Sequence, residues 1–237
     1  MSKPITLWSH GTGPNPWKVA IVLEELGVSY ETKFMDFPDM KKEAFEKLNP
    51  NGRVPAIEDP NTGITLFESG AIIEYLIDTY DKQSNLTYTE SPRKYQLLSW
   101  LHFQMSGQGP YFGQKAWFSF FHEYAYHQKR STGDRLTKFP RSEKNMTSAI
   151  DRYSNEIKRV LGVVDSHLKK TGQEYLVGDK CTYADLAWVL WDSMIPFLMG
   201  NDFDYKKDYP NFSAWHDRVT ARPAVAKVLK EKADRSK

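Results

Sequence analysis

Asn15 stands between Pro14 and Pro16, after the small-residue loop Ser9-His10-Gly11-Thr12-Gly13 and before Val19, Val22, Leu23 and Leu26, which recur at helical spacing. This order predicts a helix whose first turn begins at Asn15-Pro16. Such a terminus presents unpaired backbone N–H groups and the positive end of the macrodipole, so it can hold an anion such as a thiolate. Asn is equally a favoured N-cap, with Pro favoured beside it, and capping alone accounts for both residues. Glu68-Ser69 poses the same choice at the head of a second predicted helix: a cap with an acidic first turn, or an anion site. The other polar candidates read more plainly as structure. Lys41 and Lys42 suit a solvated helix start, and Arg152 has Glu156 four residues on for a surface ion pair. Val54 and Pro55 suit a core, as do most aromatic residues crowded between Trp100 and Tyr126.

The elements that must position these residues fall into two kinds. Up to about residue 80, strand and helix signals alternate. Ile5–Trp8, Tyr30–Met35, Val54–Glu58 and Thr65–Phe67 read as strands, the last two a hairpin around Asp59-Pro60-Asn61-Thr62-Gly63. Helices fit the run after Asn15 up to Gly27, Lys41–Leu48 before the turn Asn49-Pro50-Asn51-Gly52, and Glu68–Tyr80. After a polar stretch the strand grammar stops. Tyr95, Leu98, Leu101 and His102 recur helically, as do Ile150, Tyr153, Ile157, Val160, Leu161 and Val164. Thr182-Tyr183-Ala184-Asp185 reads as a capping box with Cys181 and Leu186 as its apolar staple, and Pro210 and Pro223 suit helix starts. Glu123–Asn145 has no periodicity and predicts a long excursion.

Composition narrows the functional classes. The 237 residues carry 32 basic and 30 acidic side chains, interspersed, for a net charge of +2, so charge gives no sign of a nucleic-acid partner. One cysteine, Cys181, allows no internal disulfide, and no Cys/His cluster suggests a metal. No apolar run approaches membrane-spanning length and no leader pattern is visible, so a cytoplasmic protein is expected.

An α/β unit of thioredoxin size followed by an all-α bundle resembles the glutathione transferase superfamily. The resemblance rests on Asn49-Pro50-Asn51-Gly52-Arg53-Val54-Pro55-Ala56, on Phe67-Glu68-Ser69-Gly70-Ala71-Ile72, and on Gly178 through Asp185. Pro14-Asn15 with Lys18–Leu23, Gln104–Pro110 with Gly113-Gln114, and Ala149–Tyr153 are similar to one branch, the fungal nitrogen-regulator (prion-forming) type and the bacterial nu class. The resemblance implies a thioredoxin-like domain over 1–81, a linker at 82–85 and a helical domain over 86–237. It further implies that Asn15 contacts the sulfur of glutathione and that a cis Val54–Pro55 bond turns the Val54 backbone toward the cysteinyl peptide. Glu68 would take the α-amino group and Ser69 the α-carboxylate, with Arg53 in the same binding loop. Lys41, or Lys42, would meet the glycyl carboxylate, and Arg152 would reach in from the helical domain. His10, Tyr111 and Phe112 are the expected wall of a pocket for an apolar electrophile.

The chemistry required is modest, because thiolate is the nucleophile and no general base is needed. A helix terminus contributes ~0.3–1 kcal/mol to a nearby negative charge and an amide hydrogen bond ~1.5–3 kcal/mol, together about one to three pKa units. Gly13 stands where bacterial relatives carry threonine, which leaves the helix terminus as the expected main activator. The leading expectation is conjugation of glutathione to apolar electrophiles, a detoxification chemistry, by a homodimer without metal. Glutathione-dependent disulfide or peroxide reduction is the alternative within enzymes. A non-catalytic regulatory binding protein on the same fold is the alternative outside them.

Overall fold

Strand β1 (Ile5–Ser9) turns Ile5, Leu7 and Ser9 to one face and Trp8 to the other, the period-two pattern of a strand covered on both sides. In this computed structural model, which describes residues 2–122, 143–200 and 202–235 (143–146 by backbone alone), β1 lies inside a four-stranded mixed sheet. The expected excursion over 123–145 falls, except for its last three residues, outside the described residues. β2 (Tyr30–Phe34) runs parallel to β1 with Ile5 opposite Tyr30. β3 (Ala56–Asp59) runs antiparallel on the other side with Leu7 opposite Ile57, and β4 (Ile64–Phe67) closes the order β2-β1-β3-β4. Helices α1 (Pro14–Glu25) and α3 (Ser69–Tyr80) pack together over the face that carries Ile5, Leu7 and Ile57. The 3₁₀ turn Asp39–Lys41 and the short α2 (Glu43–Glu46) cover the opposite face, where Met40 and Phe45 pack with Trp8 and Ala56. This is a thioredoxin-like unit, as expected.

The rest of the described chain is helical. α4 (Arg93–Phe103) passes through a π-helical turn at Gln104–Gln108 into α5 (Gly109–Ala116), and a second π turn follows at Trp117–Phe121. The burial of α4 differs from its sequence pattern. Leu97 and Leu101 face the core, while Tyr95 is 62% exposed and His102 points outward. α6 (Glu143–Thr171) buries Ile157, Val160, Leu161 and Val164 as its periodicity predicts. α7 (Tyr183–Asp192) is buried throughout, followed by the short α8 (Ile195–Met199) and α9 (Tyr205–Asp208), then α10 (Pro210–Thr220) and α11 (Pro223–Arg235), each of the last two beginning at its proline.

One contact arrangement decides where a site can form. α1 is buried from Pro16 to Leu23 because the sheet and α3 cover one side while α7 and α11 cover the other. At its C-terminal end, Arg222 donates to Glu25 through Nε at 2.7 Å and Nη2 at 2.6 Å, and Lys227 meets Glu24 at 2.7 Å. The first turn of α1 therefore lies at the seam between the α/β unit and the helical domain.

Candidate active site

A cleft of about 660 Å³ opens along this seam, a size suited to a small organic ligand. Pro14, Asn15 and Lys18 of α1 line it, with Arg53, with Glu68 and Ser69 at the head of α3, and with one face of the α4–α5 segment. Sequence reasoning had named Asn15, Arg53, Glu68 and Ser69 from separate motifs, and folding brings all four to this cavity.

The first turn of α1 differs from its sequence reading in a way that matters for an anion. The N-cap is Gly13 and the helix begins at Pro14, so Asn15 is the second helical residue and caps nothing. Of the four leading N–H positions, Pro14 and Pro16 have no proton to give, and Gly13 donates to His10 Nδ1 at 3.3 Å. The Asn15 N–H is the one backbone donor left in that turn. The terminus alone is thus a poorer thiolate site than a generic helix start, and the Asn15 side chain gains in importance. Its Oδ1 accepts from the Trp191 indole N–H at 3.0 Å, so the amide is held from the far side of the cleft.

The head of α3 is better supplied. Glu68, at φ 68° and ψ 116°, turns the chain sharply out of β4, a backbone region that side-chain-bearing residues seldom adopt. The turn leaves the exposed Glu68 carboxylate at the cleft and the N–H groups of Ser69, Gly70 and Ala71 at the head of the helix. Ser69 itself is buried, its hydroxyl near Met105 Sδ at 3.6 Å.

Between these two helix heads runs the loop of Val54 and Pro55, whose peptide bond is cis. Val54 makes no backbone hydrogen bond among the described residues, so its N–H and C=O stay open to a ligand. The turn before it is held by Asn49, which accepts from the Asn51 N–H at 2.9 Å and donates to the Arg53 carbonyl at 2.5 Å. Gly52 sits at φ 59°, where a Cβ would stand 2.8 Å from the Met40 carbonyl oxygen, so only glycine fits there. Lys41 Nζ donates to the Asn51 carbonyl at 3.0 Å and braces this turn, while Lys42 pairs with Asp39.

Several expected residues stand apart from the cleft. Arg152 is exposed on α6, and Glu156 pairs with Arg159 at 2.8 Å instead. His10 lines a separate cavity with Asp36 and Arg235, its ring 4.2 Å from that of Phe37. Phe112 is fully buried, and Tyr111 lies 6.3 Å from the Tyr153 ring. Helical geometry explains both aromatic misplacements. Gly109, Gly113 and Trp117 recur one turn apart, with Pro110 and Gln114 beside them, and this face meets the cleft. Residues 111 and 112 point elsewhere, because each step along a helix turns the side chain by about 100°. The aromatic walls of the cleft are therefore Trp117, half exposed, and Trp191.

Sequence reasoning missed Lys18 at the cleft floor. Its side chain is 1% exposed, and Nζ donates to Gln104 Oε1 at 2.9 Å with Met105 Sδ at 3.6 Å. Burial lowers its pKa to about 7, with the Glu68 charge opposing the shift. Gln104 passes the network on to Gln108, which donates to Asp192 Oδ1 at 2.6 Å. Burial drives the Asp192 pKa well up, and this carboxyl ends the chain of amides. Burial also raises the Cys181 thiol, which leaves that residue an inert part of the core. Among the described residues no group of three or more metal-binding side chains gathers, and no helix is long and apolar enough to cross a membrane.

Comparison with known proteins gives this geometry a context. The chain matches the family models for the glutathione S-transferase N-terminal domain over residues 3–78 and the C-terminal domain over residues 135–232. It is 46% identical over 231 residues to the glutathione S-transferase-like protein OpS6 of Beauveria bassiana, covering 98% of this chain and 97% of that one. The crystal structure of the glutathione transferase URE2P6 from Phanerochaete chrysosporium, in complex with oxidized glutathione, superposes with a TM-score of 0.83 at 44% identity and covers 98% of each chain. Ure2p5 from the same fungus, cocrystallized with 1-(S-glutathionyl)-2,4-dinitrobenzene, gives 0.80 at 38% identity, covering 99% of this chain and 96% of that one.

Proposed function

Because the chain belongs to the glutathione S-transferase superfamily, in its Ure2-like fungal branch, we propose that the seam cleft binds glutathione and presents its thiolate to an apolar electrophile. The observation that carries this reading is the convergence of Asn15, Arg53, Glu68 and Ser69 in one cavity, with the open Val54 backbone beside Arg53. The Glu68 carboxylate takes the α-ammonium, and the Ser69 end of α3 takes the α-carboxylate. Val54 pairs with the cysteinyl peptide in the manner of an added strand. Arg53 takes the glycyl end, and Lys41 braces the turn that carries it through the Asn51 carbonyl. The Asn15 N–H and side-chain amide stabilise the sulfur as thiolate, and the thiolate attacks the electrophilic carbon and expels a leaving group such as chloride. Trp117 and Trp191 supply the apolar wall for the second substrate. Arg152, His10, Tyr111 and Phe112 have no part in this scheme. A reducing cytoplasm is the compartment that suits it; fractionation with a secreted or organellar pool would refute that placement.

The oxidized glutathione in the URE2P6 complex favours a second reading, disulfide reduction, on the same cleft. There the bound thiolate attacks a disulfide sulfur and releases a thiolate, and a second glutathione resolves the mixed disulfide to give oxidized glutathione.

Immobilised glutathione is expected to retain the protein, and Glu68→Ala to release it. Asn15→Ala is expected to cut turnover of 1-chloro-2,4-dinitrobenzene by about ten-fold or more, the worth of one charge-assisted hydrogen bond, with a smaller effect on melting temperature. A parallel assay on a glutathione mixed disulfide ranks the two reactions. Unchanged retention of Glu68→Ala would refute the assigned γ-glutamyl site, and retention without turnover in either assay would leave a non-catalytic binding protein.

A further inference from the structure

The glycines at 109 and 113 and the indole of Trp191 have no part in holding glutathione, yet they converge on the residue that does most for its sulfur. We propose that Trp191 is a positioning residue: by occupying the Asn15 amide oxygen, its indole N–H fixes the amide so that the NH₂ end faces the glutathione sulfur. The inference rests on the sulfur-binding role given above to Asn15.

An asparagine side chain is ambivalent, since rotation by half a turn exchanges a double donor for an acceptor. A flipped Asn15 would aim carbonyl lone pairs at a thiolate and repel it. An indole N–H is a donor only, so the 3.0 Å contact to Oδ1 permits one orientation and leaves Nδ2 for the ligand. Each partner is held from a different side. Pro14 and Pro16 fix φ on both sides of Asn15, which steadies its backbone. The indole is 7% exposed and meets the Phe112 ring edge-on at 6.4 Å and 82°. It lies on the bare face of α5, where a Cβ on Gly109 would stand 3.4 Å from Nε1 and one on Gly113 3.4 Å from Cη2. A methyl group just fits at those distances, and anything larger would push the indole off Asn15. Only one backbone N–H remains free in the first turn of α1, so the direction of the side-chain amide decides whether the sulfur meets one donor or two.

A merely structural indole and an orienting one differ in what they do to the sulfur. The test measures the pKa of the thiol in the glutathione complex, by thiolate ultraviolet absorbance against pH, for the wild type, Trp191→Phe, Asn15→Ala and the double variant. Trp191→Phe is expected to raise that pKa by about one unit, a ten-fold change in the thiol ionisation constant, while retention on glutathione persists. In the Asn15→Ala background the same substitution is expected to add nothing. An unchanged thiol pKa in Trp191→Phe, or an equal shift in both backgrounds, would overturn the proposal. Should Trp191→Phe fail to fold, NMR of the wild-type complex decides: the Asn15 Nδ2 resonances are expected to track the thiol titration, and their indifference to it would overturn the proposal. A wild-type complex with an ordinary thiol pKa would overturn the role of Asn15 itself, and this inference with it. A lowered wild-type pKa with an unaffected Trp191→Phe overturns this inference alone.

Discussion

Lys18 is the residue whose burial has the clearest thermodynamic signature. The folded chain holds its pKa near 7, against an ordinary value of 10.5. Between those values the unfolded chain binds more protons, so stability rises with pH across that window, and the full penalty for a buried ammonium applies below it. Lys18→Met is expected to gain on the wild type in melting temperature at pH 6, with the difference shrinking by pH 9. A difference that stays constant with pH would show that Lys18 is not desolvated as described. The residue was hidden in the sequence for a physical reason. Val19, Val22, Leu23 and Leu26 define one apolar stripe with Lys18 at its flank, where a lysine normally reaches solvent, but α1 is covered on both sides and that flank is interior too. Asn15 was legible as a residue of interest and misread in place, because two prolines allow the helix to start two residues earlier than the cap rule suggests.

At the scale of elements, α7 depends on one carboxylate. Asp185 accepts from the Thr182 N–H and hydroxyl at 2.8 Å each, from the Leu176 N–H at 2.8 Å and from the Trp215 indole at 2.9 Å. Burial raises its pKa and these four donors oppose the rise. Removing the carboxylate strands several buried donors at once, so Asp185→Ala is expected to lower the unfolding free energy by about 3 kcal/mol or more in urea titrations. A loss under about 1 kcal/mol, the worth of an ordinary cap, would refute the hub role. Half of this was legible: Thr182 and Asp185 stand at the spacing of a capping box. The bonds from Leu176 and Trp215 were not, since they join residues 9 and 30 positions away that no local pattern relates. The same limit explains α4, whose inward face is set by Leu97, Leu101 and the glutamines that follow, not by the aromatic Tyr95. Similarly, the cleft-facing side of α5 was hard to read because its signal is two glycines, the absence of side chains.

For the whole molecule, the edge of the sheet bears on assembly. β4 is an edge strand, and its Ile64 and Phe67 are 37% and 36% exposed, with Tyr95 on α4 exposed as well. An unpaired edge carrying apolar side chains is a surface that natural proteins cover. We propose a two-fold symmetric homodimer, so that sedimentation is expected to give twice the 27.5 kDa chain mass. Phe67→Lys is expected to shift the population toward monomer, and a monomeric wild type at micromolar concentration would refute the assembly. Finally, the indole–amide bond joins residues 176 positions apart, one in each half of the chain. This constrains ancestry: recombination at the joint after α3 that brings in a helical half lacking an indole in this place would sever the orienting bond, however well each half folds. The two halves are therefore best inherited together.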